Sequence, residues 1–321
     1  MTMTAAEIRL KANPILGNML LGIGQGTMIA EKLMPRLPQA LSSVNIANMG
    51  DAARRRYNLR RAPGSATKRI EIKYDGKVYS VEQYSVEVPI PRELVRESDE
   101  SRRLNIASYL DISQIAMATA NDVLGLDYEL DVAGLLTNAD SYAPGNSLAL
   151  SGGTKWSADT GMPVTDIRAA ANVVRKKTGK RPNKLAFGAE VFEAVCLNKE
   201  VRSYLPSSTQ LGPATIDQLK TVFNVAEIVV GDATWVDGQD NGKDVWGNNA
   251  VLAYVPNISA GSTKLSLAEP ALGFTNVIEG HPFAEAPYFD NGTKSWIYGA
   301  TFERRPNIAY ASAGFLFSNA T

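Results

Sequence analysis

One cysteine and one histidine stand in 321 residues. The single Cys196 excludes a disulfide framework and any cysteine-rich metal site. The single His281 excludes histidine-rich metal sites and leaves one possible histidine for a Ser-His-Asp triad. An excess of either charge is lacking too, since 33 basic residues balance 33 acidic ones. A dedicated nucleic-acid binder shows a basic excess, so this balance argues against one. Long apolar runs are also missing. The most apolar N-terminal stretch, residues 15–30, is broken by Asn18 and Gln25 and lacks the basic flank of a secretory signal. It falls short of the ~20 residues that a membrane span needs. With no targeting segment, internal repeat or low-complexity tract, the chain reads as soluble and made in a reducing cytoplasm.

What is there suits a folded chain. Hydrophobic residues make up 45%, aromatics 8% and charged residues 21%, an ordinary globular composition with enough apolar mass for a core. The length predicts about two domains. Residues 1–55 carry little pattern. A short helical stretch from Met28 to Met34 lies between Gly22, Gly24 and Gly26 on one side and Pro35 and Pro38 on the other. That punctuation reads as an extended arm in need of another surface. Arg54–Arg61 (RRRYNLRR) is the one dense basic run. It suits either a solvated junction or contact with phosphate or an acidic neighbour.

Residues 66–91 give the clearest strand signal. Ile70, Ile72 and Tyr74 alternate with Glu71 and Lys73, Asp75-Gly76 follows, and Val86, Val88 and Ile90 alternate with Glu87 and Pro89. Asp-Gly between alternating runs predicts a hairpin turn there. An arm of ~13 residues would reach ~40 Å. A lone ribbon is marginal in water, so its apolar face should lie on another subunit. Residues 102–137 predict one long helix of ~50 Å. Ile106, Leu110, Met117, Leu124, Tyr128 and Leu135 form one stripe, and Leu104, Ile115, Leu126 and Ala133 a second. Two stripes imply packing on two sides.

After Gly161 short helices and strands alternate. The spacing predicts helices over Pro163–Thr178 (stopped by Gly179), Ala189–Leu197 and Thr215–Phe223. Strands are predicted over Lys184–Phe187, Glu227–Val230 and Ala250–Val255, with two closing strands over 296–305 and 307–317. This is a second, compact α/β lobe.

No candidate chemistry outweighs a plain structural role. His281 sits in a Gly/Pro-rich turn (EGHPFAEAP) without a paired acid and nucleophile. Cys196 falls on the apolar side of a short helix and reads as a buried small hydrophobe. Gly22, Gly24 and Gly26 do not match a phosphate loop, because no strand precedes them and no Lys-Ser/Thr pair follows. Residues 237–248 (DGQDNGKDVWGN) match a calcium loop at Asp237, Asn241 and Gly242 but fail at Gln239 and Asn248. They are expected to form a surface hairpin tip.

In order and spacing these segments resemble the major capsid proteins of tailed bacteriophages, with the Hong Kong 97-type fold. The resemblance is carried by RAPGS (Arg61–Ser65), YSVEQYSVEVPI (Tyr79–Ile90), LLTNADSY (Leu135–Tyr142) and LSGGTKWS (Leu150–Ser157). TGKRPNKLAFGAEVFEAV (Thr178–Val195) and FNVAEIVVGDATW (Phe223–Trp235) add to it. It implies an α+β chain in five parts. These are an N-terminal arm (1–55), an extended β-hairpin loop lying across a neighbour (56–98), and a peripheral domain with a long spine helix (99–160). A compact axial α/β domain (161–295) follows, then closing strands of both domains (296–321). Some relatives begin with a long scaffolding domain. Here only 1–55 precede the hairpin, so scaffolding is expected to come from a separate protein or not to be needed. Lys68, Lys73 and Lys77 lie in or near the hairpin, but no matching Asn and Glu identify a covalent cross-link.

The expected function is therefore structural. The chain would self-assemble into hexamers and pentamers of an icosahedral shell around packaged double-stranded DNA, in a virion assembled in the host cytoplasm. A balanced charge is compatible with a shell whose inner face alone meets nucleic acid. No enzyme activity, cofactor, metal or membrane is expected. Expected partners are further copies, scaffolding and portal proteins, DNA, and in some shells decoration proteins. The side chains expected to meet another subunit are Ile70, Ile72, Tyr74, Val86, Val88 and Ile90 of the ribbon and Leu110, Met117 and Leu124 of the helix. Two other readings compete: an encapsulin-like nanocompartment shell, which shares the fold, and a cytosolic α/β enzyme, which would need an acid/base constellation that the sequence does not display.

Overall fold

A computed structural model describes residues 27–48, 56–64, 66, 67, 69, 75–104, 111–206, 212–256 and 269–321. One helical turn, α1 (Ala30–Leu33), leads into strands β1 (Arg36–Gln39) and β2 (Ser43–Asn48). β3 (Asp75–Ser80) and β4 (Glu82–Pro91) follow, then helices α2 (Arg92–Arg103) and α3 (Ile112–Leu136) and strand β5 (Ser147–Ala149). Next come α4 (Pro163–Thr178), β6 (Lys184–Gly188), α5 (Ala189–Leu197), α6 (Lys199–Ser203), α7 (Ile216–Phe223) and β7 (Glu227–Gly231). The chain then forms β8 (Thr234–Val236), β9 (Gly242–Asp244), β10 (Ala250–Ala253), β11 (Gly273–Ile278), β12 (Phe283–Ala284), β13 (Tyr288–Asp290), β14 (Ser295–Ile308) and β15 (Gly314–Ser318).

Two sheets organise the molecule. The five-stranded sheet runs β5-β15-β10-β6-β7. Apart from β5, whose residues are exposed, its strands are short and almost wholly apolar, as strands covered on both faces must be. Side chains alternate between two cores. Leu185, Phe187, Leu252, Phe315 and Phe317 pack with Val164, Ile167 and Val174 of α4 and with Leu219 and Phe223 of α7. Ala186, Val229, Val251 and Leu316 point the other way, into a core shared with α1, α3 and β14. Trp156 closes the first core, with its ring 4.9 Å from Phe317 and its indole N–H donated to Asp166 Oδ2 at 2.9 Å. Gly179 ends α4 in the left-handed region (φ 78°), a conformation that costs glycine little.

The six-stranded sheet is built on β14. Along one side β14 pairs antiparallel with β4, from Ser295↔Pro91 to Arg304↔Glu82. Along the other it pairs in turn with β13, β12 and β11. β1 lies parallel to β11 at the end of the sheet. α3 crosses β14 and β4 and buries Ala116, Ala120, Leu124, Tyr128, Glu129, Val132, Ala133 and Leu136. Small residues early in the helix let it approach the sheet, and each large apolar side chain fully buried here contributes ~2 kcal/mol.

Two buried charges fasten α3 to its surroundings. Glu129, 1% exposed, accepts the Ile29 and Ala30 N–H groups at 2.8 and 2.9 Å and the Trp246 indole N–H at 2.7 Å. One carboxylate thus holds the entry to α1, α3 and the approach to β10 together. Arg304 of β14, with no exposed side-chain surface, donates to Asp127 and Asp131 at 2.6 Å each. Its guanidinium lies 4.2 Å from the Tyr84 ring centre. Burial pushes the Asp127 carboxyl upward against the opposing pull of Arg304.

Several expectations change. Residues 102–137 are not one helix: α2 ends at Arg103, residues 105–110 lie outside the described residues, and α3 starts afresh at Ile112. The new start has a local cause, the Asp111 carboxylate capping the Gln114 N–H at 3.2 Å. Asp75-Gly76 is not a turn; it opens β3, which pairs antiparallel with β2 from Asn48↔Asp75 to Ser43↔Ser80. The ribbon therefore joins the predicted arm to the predicted loop, while β4 belongs to the large sheet. Part of 1–55 is also core, because Ile29, Leu33 and Met34 are fully buried. Residues 273–290, expected in the axial lobe, supply β11, β12 and β13 to the other sheet. The closing strands are 295–308 and 314–318.

Candidate interaction surfaces

The side chains weighed for chemistry are engaged in structure. His281 is 9% exposed; its Nδ1 accepts the Glu303 N–H at 3.1 Å and its ring meets Phe283 edge-on at 4.8 Å. Cys196 is buried, and burial pushes its thiol up to about 11. Asp237 bonds Lys243 at 2.9 Å and accepts the Gln239 and Asn241 N–H groups. Lys243 holds its carboxyl below the usual range. The 237–248 segment starts with the tip of the β8–β9 hairpin, the expected surface turn. Among the described residues no group of three or more His, Cys, Asp or Glu side chains could hold a metal ion, and no helix is long and apolar enough to cross a membrane.

The nine side chains expected to meet another subunit separate into two groups. Ile70, Ile72, Tyr74 and Leu110 lie outside the described residues, as do Lys68 and Lys73. Val86, Val88 and Ile90 alternate along β4 as expected, but toward the subunit's own interior. Val86 packs against the central core with Met117, and Val88 and Ile90 join Met117, Ala116 and Tyr298. Leu124 is 5% exposed. Ile90 is thus covered within the subunit by α3, and Leu124 of α3 by the central core.

The apolar surface left open lies elsewhere. Val78 of β3 is 70% exposed, Leu41 before β2 69%, Leu59 66% and Leu104 58%. Arg56, Leu59, Arg60 and Arg61 of the basic run are exposed, outside helix or strand. A second opening is a sheet edge. The Arg92 N–H donates to the Lys294 carbonyl, continuing the β4–β14 register. Even-numbered residues of β4 therefore turn their main-chain groups to β14, and Gln83, Ser85, Glu87, Pro89 and Pro91 turn theirs away. Among the described residues no strand pairs with that edge. Pro89 and Pro91 sit where no N–H is needed, which is how a strand tolerates two prolines. They leave Gln83 to Glu87 as the open stretch. Periodicity shows which face of β4 is apolar, but not which edge is free, since that depends on a partner some 200 residues away in sequence.

No protein-family model matches the chain. A curated relative, the major capsid protein of Burkholderia phage BcepMu, is 31% identical over 307 residues, 95% of each chain. The crystal structure of a phage-related protein from Bordetella bronchiseptica RB50 superposes with a TM-score of 0.72 at 32% identity, covering 96% of this chain and 97% of that one. The capsid structure of cyanophage P-SCSP1u superposes with a TM-score of 0.58 at 11% identity, over 92% of this chain and 89% of that one, a likeness of fold.

Proposed function

The chain belongs to the bacteriophage major capsid proteins of the Hong Kong 97-type fold, and from that premise we propose how its surfaces build a shell. It is a structural protein of the virion that assembles with copies of itself. In our reading the copies form hexamers and pentamers of an icosahedral shell around double-stranded DNA. The five-stranded lobe gathers around the rotation axes, and the six-stranded sheet with its β2–β3 ribbon spans between them. Scaffolding and portal proteins are separate chains, decoration proteins bind from outside, and assembly takes place in the host cytoplasm. Catalysis plays no part.

One observation carries this most: among the described residues, four of the five most exposed large apolar side chains, Leu41, Leu59, Val78 and Leu104, lie between β1 and α3. Covering them on another copy gains apolar burial that the subunit alone cannot achieve. The encapsulin-like alternative is a shell of the same architecture, and the phage relative favours the virion. Size-exclusion chromatography with light scattering tests the reading. The purified chain should elute as very large particles above a threshold concentration. A monodisperse small oligomer at every concentration, as an enzyme would give, overturns it.

A further inference from the structure

Two exposed surfaces of this subunit carry charge of opposite sign. The first is the basic run. Arg56, Leu59 and Arg60 are exposed outside helix or strand, Leu59 by 66%. Among the described residues neither Arg56 nor Arg60 has a carboxylate within 4 Å. The run lies between β2 and β3 in the chain, beyond the Asn48↔Asp75 end of their ribbon. The other end of the ribbon is docked on the large sheet, with Tyr79 edge-on to Phe274 at 5.7 Å. The six residues of β3 span ~20 Å, so the ribbon carries the run away from the start of β4.

The second surface is the face of the six-stranded sheet that turns away from α3. Tyr298, Ala300, Phe302 and Arg304 of β14 point to the α3 side, so its odd-numbered residues point outward. Glu87 pairs with Gly299, Phe283 with Thr301 and Tyr288 with Ile297, which puts all three side chains on the outer face. Glu285 joins them by accepting the Thr301 hydroxyl, and Glu303 follows on β14. The Tyr288 hydroxyl donates to Glu87 at 3.2 Å. Tyr288 and Phe283 are 50% and 43% exposed. Among the described residues no Lys or Arg pairs with Glu87, Glu285 or Glu303. His281 lies 4.0 Å from Glu303, and Arg305 of the same face pairs with Glu82 instead. Carboxylates beside open aromatic rings suit guanidinium groups, which bond carboxylate oxygens in pairs and stack on rings. The reach matches as well. Arg56 and Arg60 are four residues apart, as are Glu303 and the Gly299 that Glu87 pairs with, at most ~13 Å in each case.

We propose that the Arg56–Arg61 segment of a second copy lies across this outer face, Arg56 and Arg60 meeting Glu87 and Glu303 while Tyr288 and Phe283 cover Leu59. The inference rests on the shell reading above, because assembly is what brings that copy.

A charge swap in the full-length chain tests it. Three variants are compared with wild type: Arg56→Glu with Arg60→Glu, Glu87→Lys with Glu303→Lys, and all four together. Light scattering reads the threshold concentration for particles, and urea unfolding of the dilute subunit reads the fold. Each pair of replacements sets like charges against each other and should raise the threshold about tenfold or more. The fourfold variant restores opposite charges and should return to within about threefold of wild type. An unchanged threshold in either pair overturns the proposal, as does a fourfold variant no better than the pairs. Pairs that assemble normally but enclose less nucleic acid would assign the basic run to phosphate instead, and also overturn it. Should Glu303→Lys lower the urea midpoint, Glu87→Lys alone takes its place in the swap and the same readings decide. Wild-type chain that forms no particles would sink the shell reading itself, whereas wild-type particles with no rescue in the fourfold variant sink this inference alone.

Discussion

At the scale of single residues, the most consequential side chain is Glu129. Replacing it with Leu strips three buried donors, the Ile29 and Ala30 N–H groups and the Trp246 indole, of their acceptor. The expected loss is roughly 3–5 kcal/mol by urea unfolding. Glu129→Gln keeps one oxygen for Ile29 and Trp246 and should lose clearly less; equal losses would show that the carboxylate is not the latch. Nothing in the sequence separates this Glu from a solvated one, because its partners lie about 100 residues away on both sides. Cys196 was legible, since a lone cysteine on the apolar side of a short helix reads as core. With its thiol pushed up to about 11 by burial, labelling of the native chain at pH 8 should run at least ~100-fold slower than in urea. The sign of the linkage follows. The folded thiol titrates above the unfolded one, so its contribution is constant below about pH 8.5 and stability falls as the pH rises from there through 11. A native labelling rate close to the unfolded one would contradict the burial.

At the scale of elements, local patterns located most pieces and long-range partners eluded them. α4 and α5 begin and end where periodicity and Gly179 place them. β4 alternates as expected, yet its cover is α3 and its partner β14, neither of which adjacent residues announce. Asp75-Gly76 has the chemistry of a turn but is taken into β3 by pairing with β2, where main-chain bonds outweigh turn propensity. The break before α3 carried a signal, Asp111 ahead of a periodic run, which the two apolar stripes concealed. Asp111→Ala should cost ~1 kcal/mol, the usual worth of such a cap, measured by thermal or urea unfolding. Leu124→Asp places a charge in a dry core and should cost several kcal/mol, leaving little folded chain in circular dichroism. Gln239→Asp at the exposed β8–β9 tip should change stability by less than ~0.5 kcal/mol. Comparable losses at both positions would mean that α3 does not organise the core.

At the scale of the whole molecule, the capsid fold was legible as an order of segments, whereas the surfaces that join subunits were not. Ile90 and Leu124 were expected outside and are used inside, and the open stretches now fall at Leu41, Val78, Leu104 and the Gln83–Glu87 edge. An apolar stripe in sequence says that a face is covered, not whether the cover comes from the same chain. The N-terminal region is a case of cover from the same chain: deleting residues 1–50 removes Ile29, Leu33, Met34 and β1 from the core and should unfold much of the chain, read by urea unfolding. The central claim, that copies of this chain close into a shell around axes lined by the five-stranded lobe, is tested most directly by electron cryo-microscopy of the purified protein. The account predicts closed particles with fivefold and sixfold clusters, the β6–β7 lobe innermost in each cluster and the six-stranded sheets spanning between them. Discrete small oligomers, or particles with the six-stranded sheet at the axes, would contradict it.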